Sequence, residues 1–451
     1  MNIIIVGLGN IGETLASELN EPGNNITIVD INGDKVRDVA ERCDVMGIVG
    51  NGATYTTQKE AGIHAADLLI AVTNSDELNL LCCIVAKKEG NCKTIARIQN
   101  PIYTTETDYI KDELGLEMVI NPDKEAAEEI ARVLKFPSAI KIDSFSGGKV
   151  EIMKYRLPEG AQLCDMSVRD VAIKLHCDIL FCTIERGEDV YIAKGDFVFR
   201  GGDIISLIAS PKNAYDFFKK AGLASHPARS VMVAGGGRIT HYLCEAMSKS
   251  QTSVKVIEKD AALCEKLCSI WKNVSVINGD FAKKEILVEE GIGAQDAFVA
   301  TTPLDEENII LTLFAKSEGT PKLITKINRP DYDGVIRELK IDTTIYPKNV
   351  TSDKILAMVR GLKNKNGSNV ETLYNLIPGK VEATEFKITE STAITDKPLA
   401  ELKFKSGVLI CAILRDGEVI MPRGSDAIRV GDSVIVVSDT LALHDVTDVL
   451  R

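Results

Sequence analysis

The chain has 451 residues, of which 45% are hydrophobic and 26% charged, an ordinary globular composition that at ~100–200 residues per domain fills about two to four domains. Acidic residues outnumber basic ones 65 to 53, and the net charge of −12 speaks against a protein that coats nucleic acid or adheres to membranes through a polybasic face. No stretch approaches the ~20 apolar residues of a membrane span, and the start Met1-Asn2-Ile3-Ile4-Ile5-Val6-Gly7 lacks the basic region of a signal peptide.

In chain order, short apolar strands are predicted at Ile3–Val6, Ile26–Val29, Gly47–Val49, Leu68–Val72, Thr94–Ile98 and Glu117–Ile120, with amphipathic helices between them. One such helix is Asp76 to Lys88, with Leu78, Leu81, Cys82 and Val85 on one face. Unbroken apolar strands separated by helices predict a parallel sheet covered on both faces. A helix from Asp123 to about Leu134 follows Asn121-Pro122.

The pattern then changes. Ser144-Phe145-Ser146-Gly147-Gly148 reads as a turn-rich junction, and Val150 to Tyr155 alternate as a strand does. Ser167 and Asp170 are placed as an N-cap pair for a short helix. Ile179–Ile184 and Val190–Ile192 flank the hairpin turn Arg186-Gly187-Glu188-Asp189, and Gly201-Gly202-Asp203 leads into Ile204–Ala209. This predicts a compact α+β unit.

The chain then repeats itself. Gly7 and Gly235 each follow a strand, and Asp30 and Glu258 each end one, both pairs at an offset of 228. Gly50-Asn51-Gly52-Ala53 matches Gly279-Asp280-Phe281-Ala282, and Ala71 to Asn79 matches Ala300 to Asn308, at 229. Arg97-Ile98-Gln99-Asn100-Pro101 matches Lys326-Ile327-Asn328-Arg329-Pro330, again at 229. The second small unit repeats the first in Glu385–Ile388, a helix near Pro398–Leu402, Val408–Leu414, the turn Asp416-Gly417, Gly431-Asp432 and Ser433–Val437. The expected architecture is α/β: two Rossmann-like, doubly wound parallel-sheet domains (1–135 and 226–360), each followed by a small α+β domain (136–225 and 361–451). The polar run Lys363 to Asn369 is the expected last linker.

The first loop, Gly7-Leu8-Gly9-Asn10-Ile11-Gly12, leaves a strand and opens a helix inside a βαβ unit whose second strand ends in an acid. Gly7 permits the tight turn, Gly9 lets backbone approach a pyrophosphate, and Gly12 lets helix and strand pack closely. Helix-start N–H groups then face the phosphates, and Asp30 can accept both ribose hydroxyls. Its charge would repel a 2′-phosphate, so NAD(H) or another adenosine nucleotide is favoured over NADP. Asn51, Thr73, Asn74, Asp76 and Arg97 lie at strand carboxyl ends, where open α/β sheets bind ligands. A turn former at Asn51, an N-cap at Asp76 and plain strand ends elsewhere are equal alternatives.

In the second half the corresponding candidates are Gly235, Gly237, Arg238, Glu258 and Asp280. Thr240 replaces the third glycine there, and its β-branched side chain is expected to loosen helix–strand packing. Whether this second loop holds a nucleotide stays open.

Neither small domain offers a His–Asp pair or a buried-lysine motif, so no catalytic residue is assigned and a switch reads better than an enzyme. A NAD-dependent oxidoreductase and an assembly scaffold with a relic loop are the competing readings. The 11 cysteines show no CxxC pairing and the five histidines are scattered, which predicts reduced thiols packed as small hydrophobes in a cytosolic protein and no metal site.

Taken together, Gly7-x-Gly9-x-x-Gly12, Asp30, Gly50-Asn51-Gly52-Ala53, Ala66-Asp67, Val72 to Asn79, Ala96-Arg97-Ile98, Gly202-Asp203 and Gly431-Asp432 make the whole chain resemble the TrkA family of potassium-uptake regulatory subunits, built of tandem RCK domains. The resemblance implies a cytoplasmic, peripheral subunit without enzymatic activity, on the inner face of the cell membrane. It implies a homo-oligomeric ring, typically of four double-length chains, beneath a separate membrane-embedded potassium-transporting subunit. It implies NAD(H), and in relatives ATP or ADP, on the large domains, with Asp30 as the ribose acid. It further implies that the small domains, called TrkA-C or RCK-C, mediate pairing and in some relatives bind a regulator such as a cyclic dinucleotide; no nucleic-acid partner is implied.

Overall fold

The computed structural model describes every residue except 22, 224–225, 330–332, 340, 342, 364–367 and 440–442. The first half opens with β1 (Asn2–Val6), α1 (Asn10–Glu18), β2 (Asn25–Asp30), α2 (Gly33–Cys43), β3 (Met46–Val49) and α3 (Tyr55–Glu60). It continues through β4 (Leu68–Ala71), α4 (Asp76–Gly90), β5 (Lys93–Arg97), α5 (Pro101–Thr104), α6 (Thr107–Glu113), β6 (Met118–Ile120) and α7 (Pro122–Lys135). The strands form one parallel sheet in the order β3-β2-β1-β4-β5-β6. Central β1 is flanked on both edges, with Ile5 opposite both Ile28 and Ile70, and Ile3 to Val6 are fully buried. Burial on both faces is why these strands read as unbroken apolar runs.

The small module holds β7 (Ala139–Phe145), β8 (Val150–Arg156), α8 (Val168–Leu175), β9 (Leu180–Arg186), β10 (Asp189–Ile192), β11 (Ile204–Ala209) and α9 (Pro211–Lys220), with the strands ordered β10-β9-β11-β8-β7. Ser167 and Asp170 form a reciprocal capping box at the start of α8.

The second half repeats both parts. Its parallel sheet, ordered β14-β13-β12-β15-β16-β17, is built from β12 (Ser230–Ala234), α10 (Arg238–Met247), β13 (Ser253–Glu258), α11 (Ala261–Ile270), β14 (Val274–Asn278) and α12 (Lys284–Glu289). Then come β15 (Ala297–Ala300), α13 (Asp305–Ser317), β16 (Lys322–Lys326), α14 (Asp333–Glu338), β17 (Thr343–Ile345) and α15 (Pro347–Lys363). The last sheet, β18-β19-β22-β20-β21, uses β18 (Ser368–Ile377), β19 (Val381–Ile388), β20 (Val408–Arg415), β21 (Glu418–Ile420) and β22 (Ser433–Ser438). The fold class is therefore the expected one, two Rossmann-like parallel sheets each followed by a small antiparallel α+β module.

The chain sorts its four parts into two compact units. One contains residues 1–128 and 230–352, with both parallel sheets; the other contains 129–229 and 353–451, with both antiparallel sheets.

Several sequence expectations are corrected. Ser144 and Phe145 belong to β7, and the turn is confined to Ser146–Gly148. β7 and β18 each add an outer strand that the sequence reading did not predict. Leu81 is 48% exposed; the buried face of α4 is Asp76, Asn79, Cys82, Cys83 and Ala86, because two polar residues are drawn inward by backbone groups. The helix expected near Pro398–Leu402 is a single 3₁₀ turn, Leu399–Glu401, since the following residues pair with the chain end: Lys405 N–H donates to Val449 O and Arg451 N–H to Lys403 O. Of the expected linker, Lys363 ends α15, Ser368 opens β18, and 364–367 lie outside the described residues.

The Gly-Asp turns of the small modules have one structural explanation. Asp203 accepts both Arg186 Nε and Nη2 at 2.8 Å, and Asp432 accepts Arg415 Nε and Nη2 at 2.9 and 2.7 Å. Each carboxylate also takes a backbone N–H, from Arg200 or Arg429, and each turn glycine sits at positive φ (+82° at Gly202, +94° at Gly431). The two modules share a core in which Cys182 Sγ and Cys411 Sγ lie 3.6 Å apart, at matching positions of β9 and β20. Of the 11 cysteines, eight are buried, and burial pushes the Cys82 thiol up to about 12. Such thiols are packing groups rather than nucleophiles.

Within this second unit Glu129 of α7 is buried. Burial first, and then the nearby Asp143 and Asp353 charges, push its carboxyl up to about 7 against the opposing pull of Lys141 and Arg132. The folded chain thus holds a proton that the unfolded chain releases near 4.5, so Glu129 costs stability as pH rises from there to about 7. Glu129→Gln is predicted to stabilise the protein by about 2–3 kcal/mol at pH 8 and by much less at pH 5, read as urea midpoints at the two pH values. Equal shifts at both would refute the assignment.

Candidate functional site

The loop after β1 owes its path to two glycines. Gly7 sits at φ +99°, and a Cβ there would lie 2.8 Å from Thr73 N; a Cβ on Gly12 would meet Gly7 O at 1.9 Å. Gly9 differs from both, because a Cβ there would meet nothing within 4 Å. Gly9 is the N-cap of α1 and offers no side-chain cap, so the helix start keeps its amides for an outside acceptor. Leu8 points its side chain into the core, fully buried. Ile11 is buried in α1, and Asn10 opens the helix.

Asp30, at the end of β2, holds this loop from the side. Leu8 N–H donates to Oδ2 at 2.6 Å and Asn32 N–H to Oδ1 at 2.8 Å, while Lys35 Nζ donates to Leu8 O at 3.0 Å. Each carboxylate oxygen still has capacity for a further hydrogen bond, the chemistry that ribose hydroxyls require. Open space above Gly9, an uncapped helix start and a pinned carboxylate together fit an adenosine nucleotide with its phosphates on the loop.

The remaining candidates divide. Asn51 Oδ1 accepts Ala53 N–H at 3.0 Å and Asp280 Oδ1 accepts Ala282 N–H at 3.1 Å, so both organise turns on the cleft rim. Asp76 is buried, and its Oδ2 accepts Gln99 N–H at 2.9 Å and Asn100 N–H at 2.8 Å, tying α4 to the segment after β5. Arg97 is buried too; its Nη2 donates to Thr73 O and Asn74 Oδ1, and burial lowers the guanidinium. Arg97 thus binds Thr73 and Asn74, and Asp76 binds the backbone after β5, at the ends of β4 and β5. Asn79, which the sequence reading left out of the site, is the centre of this group: Oδ1 accepts Thr73 N–H at 2.8 Å, and Nδ2 donates to Thr73 O and Arg97 O. Asn308 makes the same three bonds to Thr302 and Lys326, so its recurrence at an offset of 229 was the available signal.

The second cleft is rebuilt by paired changes. Leu8 becomes Gly236, and a Cβ there would lie 2.9 Å from Glu258 Cγ and 3.1 Å from Leu267 Cδ1. The missing side chain makes room for the extra methylene of Glu258. Its carboxylate then accepts Gly236 N–H at 2.6 Å and Asp260 N–H at 2.8 Å, as Asp30 does in the first half. Gly12 and Val72 become Thr240 and Thr301. Thr240 Oγ1 donates to Gly235 O at 2.5 Å and lies 3.0 Å from Thr301 Oγ1, fully buried. The loosening expected from Thr240 is slight: a Cβ on Gly235, at φ +101°, would lie 3.2 Å from the Thr301–Thr302 backbone where one on Gly7 would lie 2.8 Å from Thr73 N, and the Thr240 and Thr301 hydroxyls add hydrogen bonds at this junction. A Cβ at Gly237 would again meet nothing within 4 Å. Arg238, next in the chain, donates through Nε to Asp123 Oδ2 at 2.6 Å.

Fold and clefts define a protein of tandem dinucleotide-type folds joined to small antiparallel modules. Among the described residues no group of His, Cys, Asp and Glu is placed to hold a metal ion, and no helix is long and apolar enough to cross a membrane. The sequence model of the TrkA-N domain matches residues 3–122 and 231–347, and that of the TrkA-C domain matches 152–222 and 383–451. The chain is 30% identical to the Trk system potassium uptake protein TrkA homolog of Archaeoglobus fulgidus over the whole of both chains. It is 30% identical to the Trk system potassium uptake protein TrkA of Halomonas elongata, over 99% of this chain and 98% of that one. The chain belongs to the TrkA family. Its fold is also that of the GsuK RCK domain (TM-score 0.64, 16% identity, covering 97% of this chain and 92% of that one). The GsuK channel bound to NAD gives a TM-score of 0.63 at 16% identity, covering 97% and 77%.

The paired changes predict a double-mutant result. Gly236→Leu alone should destabilise the first unit by about 1–3 kcal/mol through overpacking against Glu258 and Leu267. Adding Glu258→Asp should recover most of that loss in thermal melts. Independent, additive effects would show that the two positions are not coupled.

Proposed function

We propose that this chain is a nucleotide-sensing regulatory subunit that gates a separate membrane-embedded potassium transporter of the Trk type. The observation that carries the reading is the Asp30 carboxylate, pinned by Leu8 and Asn32 N–H beside the open space above Gly9. Family membership supplies the potassium transport.

The residues that would hold the nucleotide are the amides of Gly9, Asn10 and Ile11 for its phosphates and Asp30 for its ribose, with Gly237, Arg238 and Glu258 in the same roles in the second cleft. NAD(H) is the favoured ligand, with ATP or ADP as the other adenosine nucleotides that the same groups would accept. When bound, such a nucleotide supplies phosphate charge to a helix start and two hydroxyls to a carboxylate. A differential affinity of ~1–3 kcal/mol per site is enough to move a gating equilibrium. Assembly into a ring of several chains on the inner face of the membrane, under the transporting subunit, would add these increments. The shared core of the small modules supports a pairing role for them. The inward-turned bonds of Asp76 and Arg97 commit both groups to the surrounding backbone and to Asn74, which supports regulation rather than catalysis.

Calorimetry of the purified chain should detect NADH or ATP binding that Asp30→Ala weakens about tenfold or more. In cells whose potassium uptake depends on this chain, Asp30→Ala should alter uptake while the protein remains folded and abundant. Binding of neither nucleotide would overturn the proposal, as would steady NADH turnover with carbonyl substrates.

A further inference from the structure

The two clefts lie in the same compact unit, and a short chain of hydrogen bonds, buried at Tyr242 and exposed at Arg238, runs from one to the other. Helix α10 is the phosphate-facing helix of the second cleft. One turn beyond its start, Tyr242 is fully buried against the first half. Its hydroxyl donates to Gln99 O at 2.9 Å, accepts Asn121 Nδ2 at 3.0 Å and lies 2.8 Å from Thr104 Oγ1.

Gln99 is the junction. Its N–H is held by Asp76 on the rim of the first cleft, its carbonyl by Tyr242, and its Nε2 donates at 3.0 Å to the Asp123 oxygen that also receives Arg238 Nε. Asp76 and Gln99 thus connect the β4 and β5 ends of the first cleft to both the side and the start of α10. The bonds of Gln99 and Tyr242 range from 2.8 to 3.0 Å, and Asp76, Gln99, Asn121 and Tyr242 are buried. A displacement of the Asp76–Gln99 segment must either carry α10 with it or leave buried polar groups unpaired, at about 1–3 kcal/mol each.

Among the described residues the matching contact is not made in the other direction. Thr14 stands in α1 where Tyr242 stands in α10, and its hydroxyl turns back to Asn10 O. Lys348 stands in α15 where Asp123 stands in α7.

We propose that the two clefts are energetically coupled, and that Tyr242 and Asp123 are the positioning residues that couple them. The inference rests on the nucleotide reading of the clefts. It predicts that filling either cleft changes the affinity of the other by about fivefold or more, equally in both directions because the coupling is a shared free energy.

The molecule carries its own reporter. Its single tryptophan, Trp271 at the end of α11, donates Nε1–H to His241 Nδ1 on α10 at 3.4 Å. In a Glu258→Ala chain, only the first cleft keeps its ribose acid, so NAD⁺ added there should shift Trp271 emission through α10. Adding Tyr242→Phe and Asp123→Asn to that chain should abolish the shift while calorimetry still finds NAD⁺ bound with an affinity within about twofold; Asp123→Asn alone, which preserves shape, should reduce it. The same titrations of the otherwise native chain and of Asp30→Ala give the coupling factor. A Glu258→Ala chain that binds NAD⁺ with no change in emission, or a shift that survives the added substitutions, would overturn the inference and leave the proposed function standing. Absence of NAD⁺ and ATP binding in every chain would remove both.

Discussion

The contact on which each ligand-facing loop depends is a carboxylate bonded to the amide of that loop. A loop that leaves space above Gly9 cannot be held by packing from that side, because nothing packs there. It must be fixed laterally, and Asp30 does this with a charge-assisted bond of 2.6 Å to Leu8 N–H. The same bond sets the carboxylate beside the helix start, so one interaction both fixes the loop and prepares the groups that face a ligand. Glu258 and Gly236 N–H repeat it at 2.6 Å, although both side chains in that pair differ from their counterparts in the first half. What the two halves hold in common is the position of a charge relative to an amide, more than the identity of the residues that place it.

Much of the fold was legible because it is written twice. Strands buried on both faces leave continuous apolar runs, and an offset of 228 or 229 maintained from Gly7 to Pro101 has no explanation but duplication. The outer strands β7 and β18 were less visible, because an outer strand mixes polar and apolar residues; β7 reads Ala-Ile-Lys-Ile-Asp-Ser-Phe. Leu81 misled for a related reason: helical periodicity finds an apolar stripe, but α4 buries Asp76 and Asn79 to serve backbone groups at the ends of β4 and β5, which rotates Leu81 outward. At the site, the glycines and acids were readable from spacing, whereas the inward bonds of Asp76 and Arg97 depend on partners 23 or 24 residues away that no local pattern reveals.

The second loop shows why single positions mislead. Taken alone, Thr240 clashes and Glu258 is too long. Glu258 with Gly236 repeats the bond that Asp30 makes with Leu8 N–H, and Thr240 with Thr301 replaces the bare contact of Gly12 with Val72 by hydroxyl hydrogen bonds. Packing and hydrogen bonding act on pairs, so an apparent loss at one position is uninformative until its contact is known.

Duplication within one chain also permits what a symmetric dimer of half-length chains cannot have. In such a dimer every interface contact occurs twice, so a tyrosine reaching from each phosphate-facing helix into the partner would tie both clefts alike. Fusion removes that requirement. Here Tyr242 and Arg238 reach from the second fold into the first, while Thr14 and Asn10 occupy the reciprocal positions. The second fold is thereby anchored through its phosphate-facing helix and the first through its β4 and β5 ends. The two clefts present different surfaces to a common junction, which gives a tandem chain the means to respond unequally to the same ligand.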